Sequence, residues 1–225
     1  MVKRDLLAIG HTAQDYIITI EQFPKLNTSV PITTMKQLNG GAAANVSMVA
    51  SKMGLKTSLV SAVGGEFKNT AYYNELTKEN INIESLITIE DENTPTAFVL
   101  TDKDNNQTSY FYWGAGIGFK SADVPIQEIN DNIAIHLATG DPEFNWRSSI
   151  EARKQEKLVS FDPGQDLGMY SKERLEEVIK NTNILFGNHH EIGRIINNFN
   201  LDINQLLELG PEIIVKSCGE NGSVI

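Results

Sequence analysis

"LNGGAAANVSMVASKMG", residues 38–54, decides how the chain is read. Gly40 and Gly41, then Ala42, Ala43 and Ala44, reduce the side chains to hydrogens and methyls directly ahead of Asn45. From there Val46, Val49, Ala50 and Met53 recur at i, i+3, i+4 and i+7, one face of a helix. Gly54 stands where that helix would stop. A tight turn with close helix–sheet packing accounts for the small residues. A carboxamide at a helix start, at a strand's end, points instead to a ligand crevice.

Outward from this stretch, short apolar runs alternate with helical patterns. "LLAIG" (6–10), "TSLVSAVG" (57–64), "IAIHLATG" (133–140), "KLVSF" (157–161), "NILFGN" (183–188) and "EIIVKS" (212–217) are apolar on consecutive residues. They read as strands buried on both faces. Between them "KNTAYYNELTKEN" (68–80), "NWRSSIEARKQE" (145–156), "SKERLEEVIKN" (171–181) and "HHEIGRIINNF" (189–199) read as helices, with Ser171 as an N-cap. The alternation predicts an α/β fold with a mostly parallel sheet flanked by helices, and ligands at the carboxyl ends of its strands.

Two regions depart from it. "YIITI" (16–20) is extended, and "TAFVLT" (96–101) with "QTSYFYW" (107–113) forms a hairpin turning at Asp104-Asn105-Asn106. They predict a small β-flap beside the main sheet. The last stretch, "EIIVKSCGENGSVI" (212–225), reads as a strand, a glycine-containing turn and the first residues of another strand, as expected of a fragment or a truncated product.

The composition bounds the function. Hydrophobic residues make up 40% of 225, enough for one large domain. With 19 basic against 29 acidic residues the net charge is −10, which argues against nucleic acid or an anionic membrane as main partner. A small anion remains compatible, since backbone N–H groups and a metal can hold phosphate. Cys218 is the only cysteine, so no intrachain disulfide forms. With no apolar run long enough for a signal peptide or a bilayer span, a cytoplasmic location is expected.

Gly40-Gly41, Asn45, Ser47, Gly54 and Gly64 are spaced as in the N-terminal signature of the ribokinase-like (PfkB) carbohydrate kinases, and the chain resembles that family over its whole length. "GHTAQDYI" (10–17) resembles the family's first strand with its sugar-binding aspartate, here Asp15. "NHHE" (188–191) matches its N-x-x-E motif, and "KSCGENGSVI" (216–225) its nucleotide-side strand–turn–strand. "FPKLNTS" (23–29), "LATGDPEFN" (137–145) and "SFDPGQDL" (160–167) are similar to the archaeal nucleoside kinases within it.

The resemblance implies one ribokinase-like domain over 1–225, with lid segments at about 15–37 and 94–113 and the C-terminal part of the fold outside these residues. It implies transfer of the ATP γ-phosphate to the 5′-hydroxyl of a ribonucleoside of the inosine, guanosine or cytidine type, with Mg²⁺. Asp15, Gly40, Gly41 and Asn45 would bind the ribose, and Gln107 would contact base or sugar. Asn188, Ser217, Gly219 and Gly222 would serve the nucleotide, and Glu191 the metal. Tyr110, Phe111, Tyr112 and Trp113 alternate sides along their strand, so one face would enclose a base or join the flap of a second copy in a homodimer.

Ser217 stands where the family has threonine, and Glu66 where it has aspartate; Glu66 is given no role. His189 and His190 lack an HExxH setting, and "GAGIGF" (114–119) lacks the third glycine of GxGxxG. Asp141 and Asp162 follow strands, where they face a crevice or cap a turn, and stay unassigned.

Family members carry the catalytic aspartate in a D-x-x-G-A-G-D segment, whose backbone forms the anion hole. Residues 1–225 hold none, so the base aspartate is expected beyond Ile225 and these residues alone are expected to be catalytically crippled. A sugar or sugar-phosphate kinase, and a nucleoside- or partner-binding pseudokinase, are the alternatives.

Overall fold

The computed structural model describes residues 3–225. From the amino end come β1 (Arg4–Ile9), β2 (Ala13–Ile20), β3 (Ile32–Gly40), helix α1 (Ala42–Lys52), β4 (Thr57–Val60) and β5 (Ala62–Gly64). The middle holds α2 (Ala71–Lys78), β6 (Ile87–Ile89), β7 (Thr96–Thr101) and β8 (Gln107–Tyr112). Next are α3 (Ile126–Asp131), β9 (Asn132–Leu137), α4 (Pro142–Lys154), β10 (Leu158–Phe161) and α5 (Lys172–Lys180). The chain continues through β11 (Ile184–Asn188), α6 (His189–Phe199), α7 (Ile203–Leu209), β12 (Ile213–Ser217) and the short β13 (Ser223–Val224).

The main sheet has the order β13-β12-β11-β10-β9-β1-β4, parallel throughout except at β13. Its strands were legible as apolar runs because alternate residues enter a core. Leu7, Ile9, Ile135, Leu137, Val159, Phe161 and Leu185 are fully buried in one cluster with residues of α4, α5 and α6. Truncating Phe161 to alanine there would cost about 3–5 kcal/mol. On the other side Ala43 and Ala44 of α1 pack with Ala8 and Leu59 of the sheet. The methyls after Gly41 thus let this helix lie close against β1 and β4.

Strand order reverses at β1. The chain moves from β1 to β4 on one side, then returns to β9 on the other and proceeds outward to β12. A crevice forms at the carboxyl ends of strands where such a reversal occurs.

Above it stands a second sheet of order β3-β2-β7-β8, in which β2 is antiparallel to β3 and parallel to β7. The hairpin between β7 and β8 closes over Asp102, whose carboxylate accepts the amides of Asp104 and Asn106 at 2.9 Å each. Asn105 takes φ 62° at its tip. The lid strands therefore occupy 13–20, 32–40, 96–101 and 107–112, with β3 reaching Gly40 itself.

"TSLVSAVG" is two strands rather than one. The buried Ser61 hydroxyl accepts the Thr12 N–H at 2.8 Å, where the chain leaves β1 for the lid. Beyond it Ala62–Gly64 turns away from the main sheet to pair with β6. Two helices lacked a sequence signal strong enough to find, α3 and α7, both short.

Candidate functional site

A cleft of about 420 Å³ lies between the switch point and the inner face of the lid. Its floor comes from His11 after β1 and Thr139 after β9, one wall from Gly41, Ala42 and Asn45, and the roof from lid residues. Across the roof Asp15 stands in register with Ala97, and Ala97 with Phe111. Such paired positions project to one face of a sheet.

Asp15 and Asn45 both line the cleft, and neither side chain has a hydrogen-bond partner among the described residues. Burial pushes the Asp15 carboxyl above its ordinary value. Unpaired polar groups in a partly desolvated cleft are costly, and a ligand's hydroxyls would satisfy them.

The two glycines do different work. A Cβ on Gly40 would collide with the Asp15 carboxylate, Oδ1 lying 2.6 Å away, so this residue leaves room for the acid. Gly41 has φ 94°, and its Cβ would fall 2.6 Å from the Ala13 nitrogen and from Thr12 Cα. There the backbone of the β1–β2 link presses on the start of α1. The Tyr72 hydroxyl donates to the Gly40 carbonyl at 2.8 Å and fixes the turn from behind.

Gln107 lies apart from the residues lining this cleft. It starts β8 at the hairpin end, is exposed, and donates to Thr101 Oγ1 at 3.3 Å. Of the four aromatics, Phe111 projects to the cleft and Tyr110 borders it with its side chain on the other face, in register with Phe98, whereas the Tyr112 hydroxyl bonds the Glu92 carboxylate at 2.9 Å. Ser109, Thr139 and Gln165 also line it. Thr139 and Gln165 fall in the stretches 137–145 and 160–167 without having been given a role; the lid crossing over β9 and β10 brings the three together.

The residues expected to serve the nucleotide meet at the ends of β11 and β12, where Asn188 pairs in register with Ser217. Asn188 is the N-cap of α6. Its Oδ1 accepts the amides of His190 and Glu191 at 2.9 Å each, and Glu191 Oε2 accepts the Asn188 amide at 2.7 Å. N-x-x-E is thus a capping box, which anchors the glutamate and leaves its other carboxylate oxygen outside the box. Gly219 and Gly222, with φ 59° and 80°, form the turn between β12 and β13, and a Cβ on either would meet open space. Their need is conformational rather than steric.

Asp162, at the end of β10, adds a second carboxylate. Burial raises its pKa, and so does the charge of Glu191, while the Gly164 amide at 3.1 Å opposes both. Two carboxylates in each other's field at the ends of adjacent strands suit Mg²⁺, which is commonly held by one or two carboxylates, waters and phosphate. Asp141 is the N-cap of α4, accepting the Phe144 amide at 2.9 Å. Glu66 is a bracket, accepting the Thr94 amide at 2.8 Å.

The sequence model of the pfkB family carbohydrate kinases matches residues 3–225. The nucleoside kinase of Methanothermobacter thermautotrophicus is 56% identical over 222 residues, covering 99% of this chain and 72% of that protein. The crystal structure of the Methanocaldococcus jannaschii nucleoside kinase, an archaeal member of the ribokinase family, matches with a TM-score of 0.92 at 44% identity, over all of this chain and 74% of that one. The Burkholderia thailandensis nucleoside kinase in complex with inosine shares the fold, with a TM-score of 0.85 at 21% identity over 97% and 71% of the two chains.

Proposed function

The chain belongs to the pfkB family of carbohydrate kinases, with a ribokinase-like fold, and from that premise we propose that its lid cleft takes a ribonucleoside for phosphorylation at the 5′-hydroxyl by ATP. The observation that carries this reading is the chemistry of the cleft lining. It pairs unpartnered Asp15 and Asn45 with apolar Ala97, Val99 and Phe111, and contains no lysine or arginine. A phosphorylated sugar would bring a dianion beside Asp15 with no cation to meet it, in a chain of net charge −10. A free sugar would satisfy the polar end and leave the apolar end empty. A nucleoside fills both, ribose on the carboxylate and amide, base against the aromatic and aliphatic wall.

In this reading Asp15 accepts from ribose hydroxyls and Asn45 offers both donor and acceptor. A site built to pair hydroxyls rejects analogues lacking them, because its own polar groups then go unsatisfied. The lid excludes water, which strengthens each of these contacts. ATP lies along the ends of β11 and β12, with Ser217 and the Gly219–Gly222 turn beside it. Glu191 and Asp162 would hold Mg²⁺, which would supply charge neutralisation at the phosphates. No residue of this chain is assigned as the base that takes the hydroxyl proton.

The outer face of the lid carries Tyr16 stacked on Phe98 at 5.3 Å, with Tyr110 62% and Met35 59% exposed nearby. This face suits the lid of a second copy, and sedimentation would register the dimer.

Calorimetry with inosine, guanosine and cytidine, against inosine monophosphate, ribose and fructose 6-phosphate, tests the substrate class. Binding confined to the unphosphorylated nucleosides is expected. Preference for a sugar phosphate, or absence of nucleoside binding, would end the reading.

A further inference from the structure

Beneath the cleft lies a pair of polar side chains that the ribose and nucleotide assignments do not use. His11 is 1% exposed and Asp166 is 4% exposed. Nε2 of the one is 3.4 Å from Oδ2 of the other. Neither imidazole nitrogen has a hydrogen-bond partner within the chain, nor does that carboxylate oxygen. Buried polar atoms are nearly always paired, and a charge-assisted bond closes to about 2.7–2.9 Å. The pair is in close contact, but its geometry does not form the hydrogen bond.

Its surroundings indicate what would close it. The His11 ring is walled by lid residues, Phe111 at 5.1 Å and Trp113 edge-on at 4.7 Å, and by Phe119 at 6.1 Å. His11 and Phe111 both line the cleft. Asp166 sits on the 3-10 turn Gly164–Met169, and its neighbour Gln165 lines the cleft as well. Each partner is therefore attached to a segment that a ligand would touch. His11 reports to the lid through its ring and Asp166 to the floor through Gln165.

We propose that His11 and Asp166 are a positioning pair for the nucleoside: ligand pressed between Phe111 and Gln165 closes the His11–Asp166 hydrogen bond, which locks the aromatic lid wall over the base. This rests on the nucleoside reading above. Both imidazole nitrogens are buried, so His11 offers a ligand no hydrogen bond and acts through Phe111 and Trp113. An imidazole is suited to the task, since it packs as a ring against aromatics while offering an N–H to a carboxylate behind it. Phenylalanine would supply only the packing.

The test uses the whole chain in a Trp146→Phe background, leaving Trp113 as the only tryptophan. Inosine affinity is measured by calorimetry, and the inosine-dependent change in Trp113 emission by titration, for the parent and for His11→Phe and Asp166→Asn. The parent binds with an emission change. Both variants, folded by their circular dichroism and melting, bind about tenfold more weakly, some 1.4 kcal/mol, with the emission change lost. Parent-like affinity and emission in Asp166→Asn overturn the pair, whatever His11→Phe does or if it fails to fold. Weaker binding with the emission change intact also overturns it, because that is loss of general fit without loss of the lock. Failure of the parent to bind inosine or any nucleoside is a separate result, which removes the nucleoside reading itself.

Discussion

Glu191 accepts the backbone N–H of Asn188 at 2.7 Å, while the Asn188 side chain accepts the Glu191 amide at 2.9 Å. This reciprocal pair starts α6 at the carboxyl end of β11. It holds the glutamate from a rigid support, so helix capping and the proposed metal role are separable at this motif.

Glu191→Gln keeps an oxygen that can accept the Asn188 amide and removes the charge. Its melting temperature is expected to stay near the parent's, whereas Mg²⁺-dependent ATP affinity falls at least tenfold. Asn188→Ala removes the cap and costs about 1 kcal/mol of stability. Denaturant unfolding and ATP titrations with and without Mg²⁺ check both; an unaltered Mg²⁺ response in Glu191→Gln would take the metal away from this residue.

Gly40→Ala drives a methyl into the Asp15 carboxylate. We expect it to destabilise by about 1–3 kcal/mol, with a large part of that restored when Asp15 is also changed to alanine. Gly41→Ala collides with backbone and is held at φ 94°, so no single partner substitution relieves it. A double-mutant cycle read by urea unfolding separates them. Strict additivity of Gly40→Ala and Asp15→Ala would refute the steric account.

Burial raises the pKa of Asp15 from 3.8. A carboxyl raised in the folded state contributes stability below its unfolded value and loses it as pH rises through the folded one. At about pH 7 the ligand-free protein therefore carries a penalty at this site. Asp15→Asn should melt higher than the parent at about pH 7, an advantage that vanishes near pH 3, while nucleoside binding is lost. Melting curves across that range, with and without inosine, decide it.

His136 behaves oppositely. Buried on the sheet with Nδ1 2.8 Å from Ser160 Oγ, it is pushed down to about 4 by desolvation. A base depressed in the folded state is neutral and harmless above its unfolded value of 6.5, and stability is lost as pH falls from there towards 4. The loss from this one residue is on the order of 3 kcal/mol. His136→Gln keeps a hydrogen bond to Ser160 without the titration, so the gap between parent and variant should widen in the variant's favour through that window.

The parallel strands, the main helices and the Ser171 cap were legible because each is written locally. Val46, Val49 and Ala50 repeat at helical spacing and mark the helix, although Val49 is exposed and the face it buries is that of Ala43, Ala44, Ser47 and Ala50; the Ser171 hydroxyl accepts the Arg174 amide as an N-cap does. β3 was not legible as a strand. It is a lid edge whose residues Ile32–Asn39 are exposed, so neither face has an apolar period to betray it. Asp15, Gly41 and Asn45 were found from motif spacing and do converge on one cleft. Gln107 was placed there because it begins the aromatic strand, but the hairpin carries that end away. Asp162 beside Glu191, and His11 beside Asp166, lie far apart in sequence and meet only through the order of the strands.

The parallel pairing of β2 with β7 also dictates an order of assembly. Residues 14–19 must find residues 96–101, and the intervening chain builds α1, α2 and part of the main sheet. Local pairs, β2 with β3 and β7 with β8, form early, but their junction is a long-range closure that is favourable only once the main sheet brings its ends together. The seam between Asp15 and Ala97 is then the last part of the molecule to be built and the first to open in a sub-global fluctuation. Amide exchange along β2 and β7 should outpace that along β9, and such a protein would lose its grip on ligand well before it loses its core.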